Sequence, residues 1–103
     1  MSINLCVLLW ANDGGHRELV DYEDAVLALL PDAGGRVVQR VRTQGEPTVQ
    51  PYEVHLLEFP SEQALDAYMQ DPRRLALHDR RDRAIARTEI LRVDPAEPIT
   101  AHH

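Results

Sequence analysis

Lysine is absent from this chain of 103 residues, so all eleven basic side chains are arginines, set against 17 acids for a net charge of -6. A net-acidic surface argues against broad capture of nucleic acid, which depends on neutralising phosphates. Cysteine is reduced to Cys6 alone, which excludes an intrachain disulfide and a cysteine-based metal cluster. Aromatic side chains are scarce, with one Phe, one Trp and three Tyr. No apolar run approaches the length of a membrane span. The start, Met1-Ser2-Ile3-Asn4, has no basic stretch ahead of an apolar core, so no signal peptide is expected and the cytoplasm is the expected location. At the other end His102 and His103 read as native residues or as the start of a purification tag, and take no role.

The rest is the material of one ordinary globular domain, expected over residues 1–94, with a loose tail at 95–103 marked by Pro95 and Pro98. In residues 3–11 both alternating sets, Ile3/Leu5/Val7/Leu9 and Asn4/Cys6/Leu8/Trp10, are largely apolar. That pattern predicts a central strand covered on both faces, with Cys6 as a buried, inert thiol. After the turn at Gly14-Gly15 the period changes. Leu19, Tyr22, Val26, Leu29 and Leu30 recur at spacings of three and four, which predicts an amphipathic helix over 16–30. Gly34-Gly35 ends it. Residues 36–43 read as a strand with Arg36, Arg40 and Arg42 on one face. A polar loop over 44–51 leads to a third strand over 52–59, stopped by Pro60. Ser61 caps the next helix, Asp71-Pro72 starts another running to about Ala84, and 88–93 make the last strand.

Strand, helix, strand, strand, helix, strand is the order of a ferredoxin-like α+β sandwich, βαββαβ, with both helices on one face of an antiparallel sheet. The second apolar face of the first strand then lacks a cover within the chain. A second copy supplies one, which predicts a homodimer with sheet packed on sheet.

The segment Leu57-Glu58-Phe59-Pro60-Ser61, followed by Ala64, Tyr68 and Asp71-Pro72, resembles a stretch found in a large uncharacterised bacterial family of the dimeric α/β-barrel superfamily. The resemblance covers roughly residues 3–93. It implies the dimeric α/β-barrel fold and the dimer rather than one chemistry. Better-known members of that superfamily include cofactor-independent quinol monooxygenases, haem-degrading enzymes and lactone isomerases, and no residue pattern here selects among them.

Several side chains are candidates for chemistry. His55, in phase with Glu53, Leu57 and Phe59, is either a base facing a cavity or a hydrogen-bonded histidine at an interface or edge. Arg40 and Arg42 either hold an anion such as a carboxylate, phenolate or enolate, or form a solvated edge face. Trp10, Tyr52 and Tyr68 are candidate aromatic walls for a planar ligand, with core packing the competing role for Tyr68. His78 with Asp79, and Asp82 one turn on, could orient a general base, but they lie among Arg73, Arg74, Arg80, Arg81, Arg83 and Arg87, which is the pattern of a charged solvent-facing helix. The histidines are scattered, with no H-x-x-x-H spacing, and no glycine-rich phosphate loop follows a strand, so neither metal nor cofactor is expected.

Two functions of different class follow. One is a site that binds or transforms a small aromatic or polyketide-like molecule without a cofactor, in the manner of a monooxygenase or an isomerase, with His55 and Arg40 reaching it. The other is a non-catalytic homodimeric structural or accessory protein, its barrel filled by Leu8, Leu56, Leu57 and Phe59.

Overall fold

In the computed structural model, which describes residues 2–45 and 49–96, the doubly apolar segment is strand β1, Ile3–Ala11. It lies inside the sheet, between β3 (Glu53–Phe59) and β4 (Ile85–Val93), with β2 (Arg36–Arg42) beyond β3. All pairings are antiparallel, as the hairpin and crossover connections of a ferredoxin-like sandwich require. The sheet is open, not closed into a barrel. Of the expected tail, residues 97–103 with His102 and His103 lie outside the described residues, as do positions 46–48 of the loop.

The helices cover one face. Helix α1, His16–Leu27, is shorter than its apolar pattern suggests, because Leu29 and Leu30 turn into a 3-10 segment, Leu30–Ala33. Gly34 closes that segment at φ 82°, a left-handed backbone suited to glycine. At Gly35 a β-carbon would come within 3.0 Å of the Phe59 ring and of Leu30, so only a bare α-carbon lets the chain pass there.

Ser61 caps α2, Glu62–Met69, by accepting the Ala64 N–H, and Asp71 caps the single turn α3, Pro72–Leu75, by accepting the Arg73 N–H. The second helix does not run unbroken to Ala84. It stops at Leu75 and restarts as α4, His78–Ala84. Ala84 passes directly into β4, which begins three residues earlier than the sequence pattern indicates. The Asn12 side chain donates to the Asp82 and Arg83 carbonyls, satisfying orphan acceptors at the end of α4.

Between sheet and helices lies one apolar layer. Leu5, Val7 and Leu9 of β1 and Leu57 and Phe59 of β3 meet Leu19, Tyr22 and Val26 of α1 and Leu65 and Tyr68 of α2. Each such side chain contributes roughly 1.5–3 kcal/mol when fully buried.

Three expectations are corrected by the pleat. The pairing of β2 with β3 shifts between Val37 and Gln39. This bulge adds one residue, so Arg36 lies opposite Glu58 on the outer face while Arg40 and Arg42 lie opposite His55 and Glu53 on the inner one. The three arginines therefore do not share a face. Leu8 and Leu56 also lie on the outer face, opposite in sense to Leu57 and Phe59, so these four do not fill a common interior. Cys6 sits on that outer face too, half-buried rather than in the core.

Candidate functional site

The layer between sheet and helices is not full. It holds a cavity of about 330 Å³, within the size range of small-molecule sites. Its apolar walls include Leu5, Val7, Leu57 and Phe59 from the sheet and Val26 and Met69 from the helices. Its polar groups fall into two sets: Glu23, Tyr22 and His55, and, from α3, α4 and the strand beside them, Arg74, His78, Arg81 and Thr88. The Tyr68 ring completes the lining, its hydroxyl donating to the Val26 carbonyl at 3.2 Å. Burial pushes the Tyr68 phenol up to about 12, so it stays a neutral donor.

His55 is 1% exposed, and its surroundings explain how a polar ring sits there. Two residues back on the same face, Glu53 is fully buried and its Oε1 lies 2.7 Å from His55 Nε2. Arg40 donates to Glu53 from Nε at 2.8 Å and from Nη2 at 3.2 Å, and Arg42 donates from Nε at 2.7 Å. Burial works to raise the Glu53 carboxyl, but the bonds from His55, Arg40 and Arg42 outweigh it and hold it at about 2. An ionised Glu53 can only accept. The His55 Nε2 therefore carries a hydrogen, and in the neutral ring Nδ1 presents a lone pair. A carboxylate that fixes the tautomer and orientation of an imidazole is the supporting half of a histidine general base.

On the other side of the ring stands Glu23 of α1, 6% exposed, with Oε1 3.7 Å from Nδ1. Burial raises the Glu23 carboxyl most, Glu53 adds to this, and His55, Arg40 and Arg74 oppose it, leaving it at about 7. Glu23 therefore exchanges a proton near neutral pH, as a general acid or base must.

The cationic lining comes from the helices. Arg74 lies against the Tyr68 ring, its guanidinium carbon 5.2 Å from the centroid, and its buried Nε has no partner among the described residues. Arg81 Nη2 donates to Thr88 Oγ1 at 3.0 Å. Neither arginine makes an ion pair among the described residues within 4.0 Å.

Of the residues singled out from the sequence, His55, Tyr68 and His78 line the cavity. Arg40 and Arg42 do not. Their guanidiniums are committed to Glu53, and Arg40 also binds Asp24 at 2.5 Å and the Val20 carbonyl, because β2 lies at the sheet edge outside the cavity floor. Arg74 and Arg81 occupy the place expected of Arg40. Trp10 is on the outer face, under the Arg87 guanidinium at 4.5 Å and bonded to the Val49 carbonyl. Tyr52 packs edge-on to His16 at 4.5 Å, at the end of the sheet. His78 pairs with Asp82 at 3.1 Å rather than with Asp79, as spacing by one helical turn dictates, and that pair is more than half exposed. Among the described residues no group of three or more His, Cys, Asp or Glu is placed to hold a metal ion, and no helix is long and apolar enough to cross a membrane.

Glu23 carried a signal in the sequence. It lies four residues after Leu19 and three before Val26, on the apolar stripe, whereas Glu18, Asp21 and Asp24 lie mostly off it. Arg74 and Arg81 had none that separates them from the other arginines of 73–87.

No family model and no curated protein matches the sequence. Solved structures do match over nearly the whole chain. A protein of unknown function from Rhodopseudomonas palustris shares 19% identity at a TM-score of 0.75, covering 94% of this chain and 84% of that one. A dabb family protein with a ferredoxin-like fold from Mesorhizobium loti shares 19% identity at a TM-score of 0.64, covering 93% and 98%. A candidate antibiotic biosynthesis monooxygenase from Bacteroides thetaiotaomicron shares 12% identity at a TM-score of 0.75, covering 99% and 96%. At these identities the fold is what is held in common, and it is the ferredoxin-like fold.

Proposed function

We propose that this chain, folded as the dimeric α/β-barrel proteins are, binds a small, largely apolar molecule with one anionic or enolisable oxygen function, such as an aromatic or polyketide-like acid or ketone. The single observation that carries the reading is the cavity of about 330 Å³ with an oriented imidazole, His55, in its wall. Burial of an apolar ligand body against Leu5, Val7, Leu57 and Phe59 supplies affinity. Arg74 and Arg81, without carboxylate partners among the described residues, offer guanidinium donors to the oxygen function. His55 Nδ1 accepts a proton from the bound molecule while Glu53 balances the imidazolium that results. Chemistry of that kind runs on side chains alone.

The test is binding of 2-naphthoic acid and of naphthalene, followed by ligand-observed NMR. The acid is expected to bind saturably, to bind more tightly than naphthalene, and to lose that advantage in Arg74→Met. Leu57→Trp, which fills the cavity, is expected to abolish both. Binding that survives Leu57→Trp, or no saturable binding of either compound, overturns the reading.

The homodimer belongs to the same proposal. The outer face presents Val41, Leu56 and Leu91 with Leu8 beside them, and a second sheet of the same kind is the cover that fits. Sedimentation is expected to give twice the chain mass of 11.7 kDa, and a monomer at micromolar concentration would reject this part.

A further inference from the structure

The lining holds a buried carboxyl, Glu23, that binding with a single base does not require. Glu23 and His55 stand in the same wall with Glu23 Oε1 3.7 Å from His55 Nδ1, one from α1 and one from β3. We propose that Glu23 is a catalytic residue: the proton donor that works with His55 as proton acceptor to shift a double bond within a bound unsaturated ketone, making the site an isomerase site. This rests on the cavity being a small-molecule site with His55 as its base.

The step balances without any co-reactant. His55 Nδ1 takes a proton from the carbon between the carbonyl and the double bond. The electron pair of that C–H bond moves into the conjugated system and onto the carbonyl oxygen as a dienolate, which Arg74 and Arg81 face as cations. The Glu23 carboxylic acid gives its proton to the far carbon of the allylic unit. A new C–H bond forms there, the carbonyl is restored, and the double bond is now conjugated with it. What remains is an imidazolium beside a Glu23 carboxylate, 3.7 Å apart. Return of the proton from His55 to Glu23 resets both groups, so no proton is consumed and nothing is oxidised or reduced.

Two features favour this division of labour. Glu53 holds the Nε2 hydrogen, so the acceptor atom of the neutral His55 is the one nearest Glu23. Burial raises the Glu23 carboxyl most and Glu53 from β3 adds to it; His55 from β3, Arg40 from β2 and Arg74 from α3 oppose it and leave it at about 7, so the acid form is populated at neutral pH.

The experiment uses 3-cyclohexen-1-one in D2O with the intact protein. Ultraviolet absorbance follows the conjugated product, NMR follows deuterium at each carbon, and saturation-transfer NMR follows binding. Wild type is expected to form 2-cyclohexen-1-one saturably, with solvent deuterium at the newly protonated carbon. Glu23→Gln is expected to bind the ketone and to exchange the hydrogens next to the carbonyl, yet to lose isomerisation by about 100-fold, the usual weight of a general acid. His55→Gln is expected to lose both. The isomerisation rate of wild type should fall as pH rises through about 7, and the exchange rate of Glu23→Gln should lack that limb. Circular dichroism confirms that each variant is folded. Isomerisation unchanged in folded Glu23→Gln, or exchange without isomerisation in wild type, overturns the role of Glu23 and leaves the binding site standing. Failure of the ketone to bind wild type at millimolar concentration overturns both.

Discussion

Two buried glutamates flank one imidazole and differ in almost every respect. Glu53, on the strand side of His55, meets two guanidiniums and the Nε2 hydrogen and is held ionised at about 2. Glu23, on the helix side, meets the cavity and the Nδ1 atom at 3.7 Å and is raised to about 7. Both lie in the same thin layer, so depth alone does not separate them. The difference lies in donors. Burial penalises each carboxylate, and only Glu53 has enough hydrogen bonds to reverse that penalty. One carboxylate is therefore fixed as structure, and the other is free to exchange a proton.

The largest test of this contrast is Glu53→Gln. The amide leaves Arg40 and the His55 ring short of an anionic acceptor inside the protein. Breaking a buried ion pair by removing one partner costs about 3–5 kcal/mol, and urea denaturation at pH 7 should show a loss of that order. A loss below about 1 kcal/mol would mean that the Arg40–Glu53–Arg42 cluster is solvated in solution, since exposed pairs contribute no more than this, and the distinction between the two glutamates would fail.

Next in size is the pH dependence of stability, which the two groups pull in opposite directions. Glu53 is depressed from 4.5 to about 2, so its contribution is complete above 4.5 and is lost as pH falls from there through 2. Glu23 is raised from 4.5 to about 7, so the folded state prefers its protonated form, and stability is lost as pH rises from 4.5 through 7. Denaturation across pH 2 to 8 should therefore show both slopes. Glu23→Gln, an isostere of the protonated acid, should remove the upper slope alone. The variant should match wild type in melting temperature near pH 4 and exceed it at pH 8. Equal melting temperatures at both pH values would show that Glu23 is not raised.

Much of this arrangement was legible in the sequence, and the parts that were not share a cause. The doubly apolar Ile3–Ala11 segment, the period change after Gly15 and the caps at Ser61 and Asp71 are local signals, and each marks an observed element. The phase of His55 with Glu53 is equally local and correctly put both on one face. The bulge at Val38 is not local. Nothing in Arg36-Val37-Val38-Gln39 marks where the pairing with β3 slips, and that slip decides which arginines meet Glu53. The break between Leu75 and His78 likewise has neither proline nor glycine to mark it. Glu23 was masked differently, by company. In a helix rich in acids, its place on the Leu19–Val26 stripe is the one mark that sets it apart, and acids ordinarily face water.

The smallest effect sharpens the contrast within the Glu53 cluster itself. Arg42 is 47% exposed at its side chain and, among the described residues, donates only to Glu53 Oε2, which also receives a bond from Arg40 Nη2. Arg40 is 22% exposed, reaches both carboxylate oxygens and ties Asp24 and the Val20 carbonyl to the strand edge. Truncating Arg42 leaves Oε2 with a donor. Truncating Arg40 leaves Oε1 with His55 alone and unties α1 from β2. Arg42→Ala should therefore cost about 1 kcal/mol, the upper end for a half-exposed pair, and the cost should shrink in high salt. Arg40→Ala should cost more and depend less on salt. Because neither side chain lines the cavity, 2-naphthoic acid should bind Arg42→Ala as it binds wild type. Chemical denaturation at low and high salt, with ligand-observed NMR on the same samples, measures both. An Arg42→Ala loss equal to that of Arg40→Ala would show that the two arginines are not ranked by burial, and a loss of ligand affinity would move Arg42 into the site.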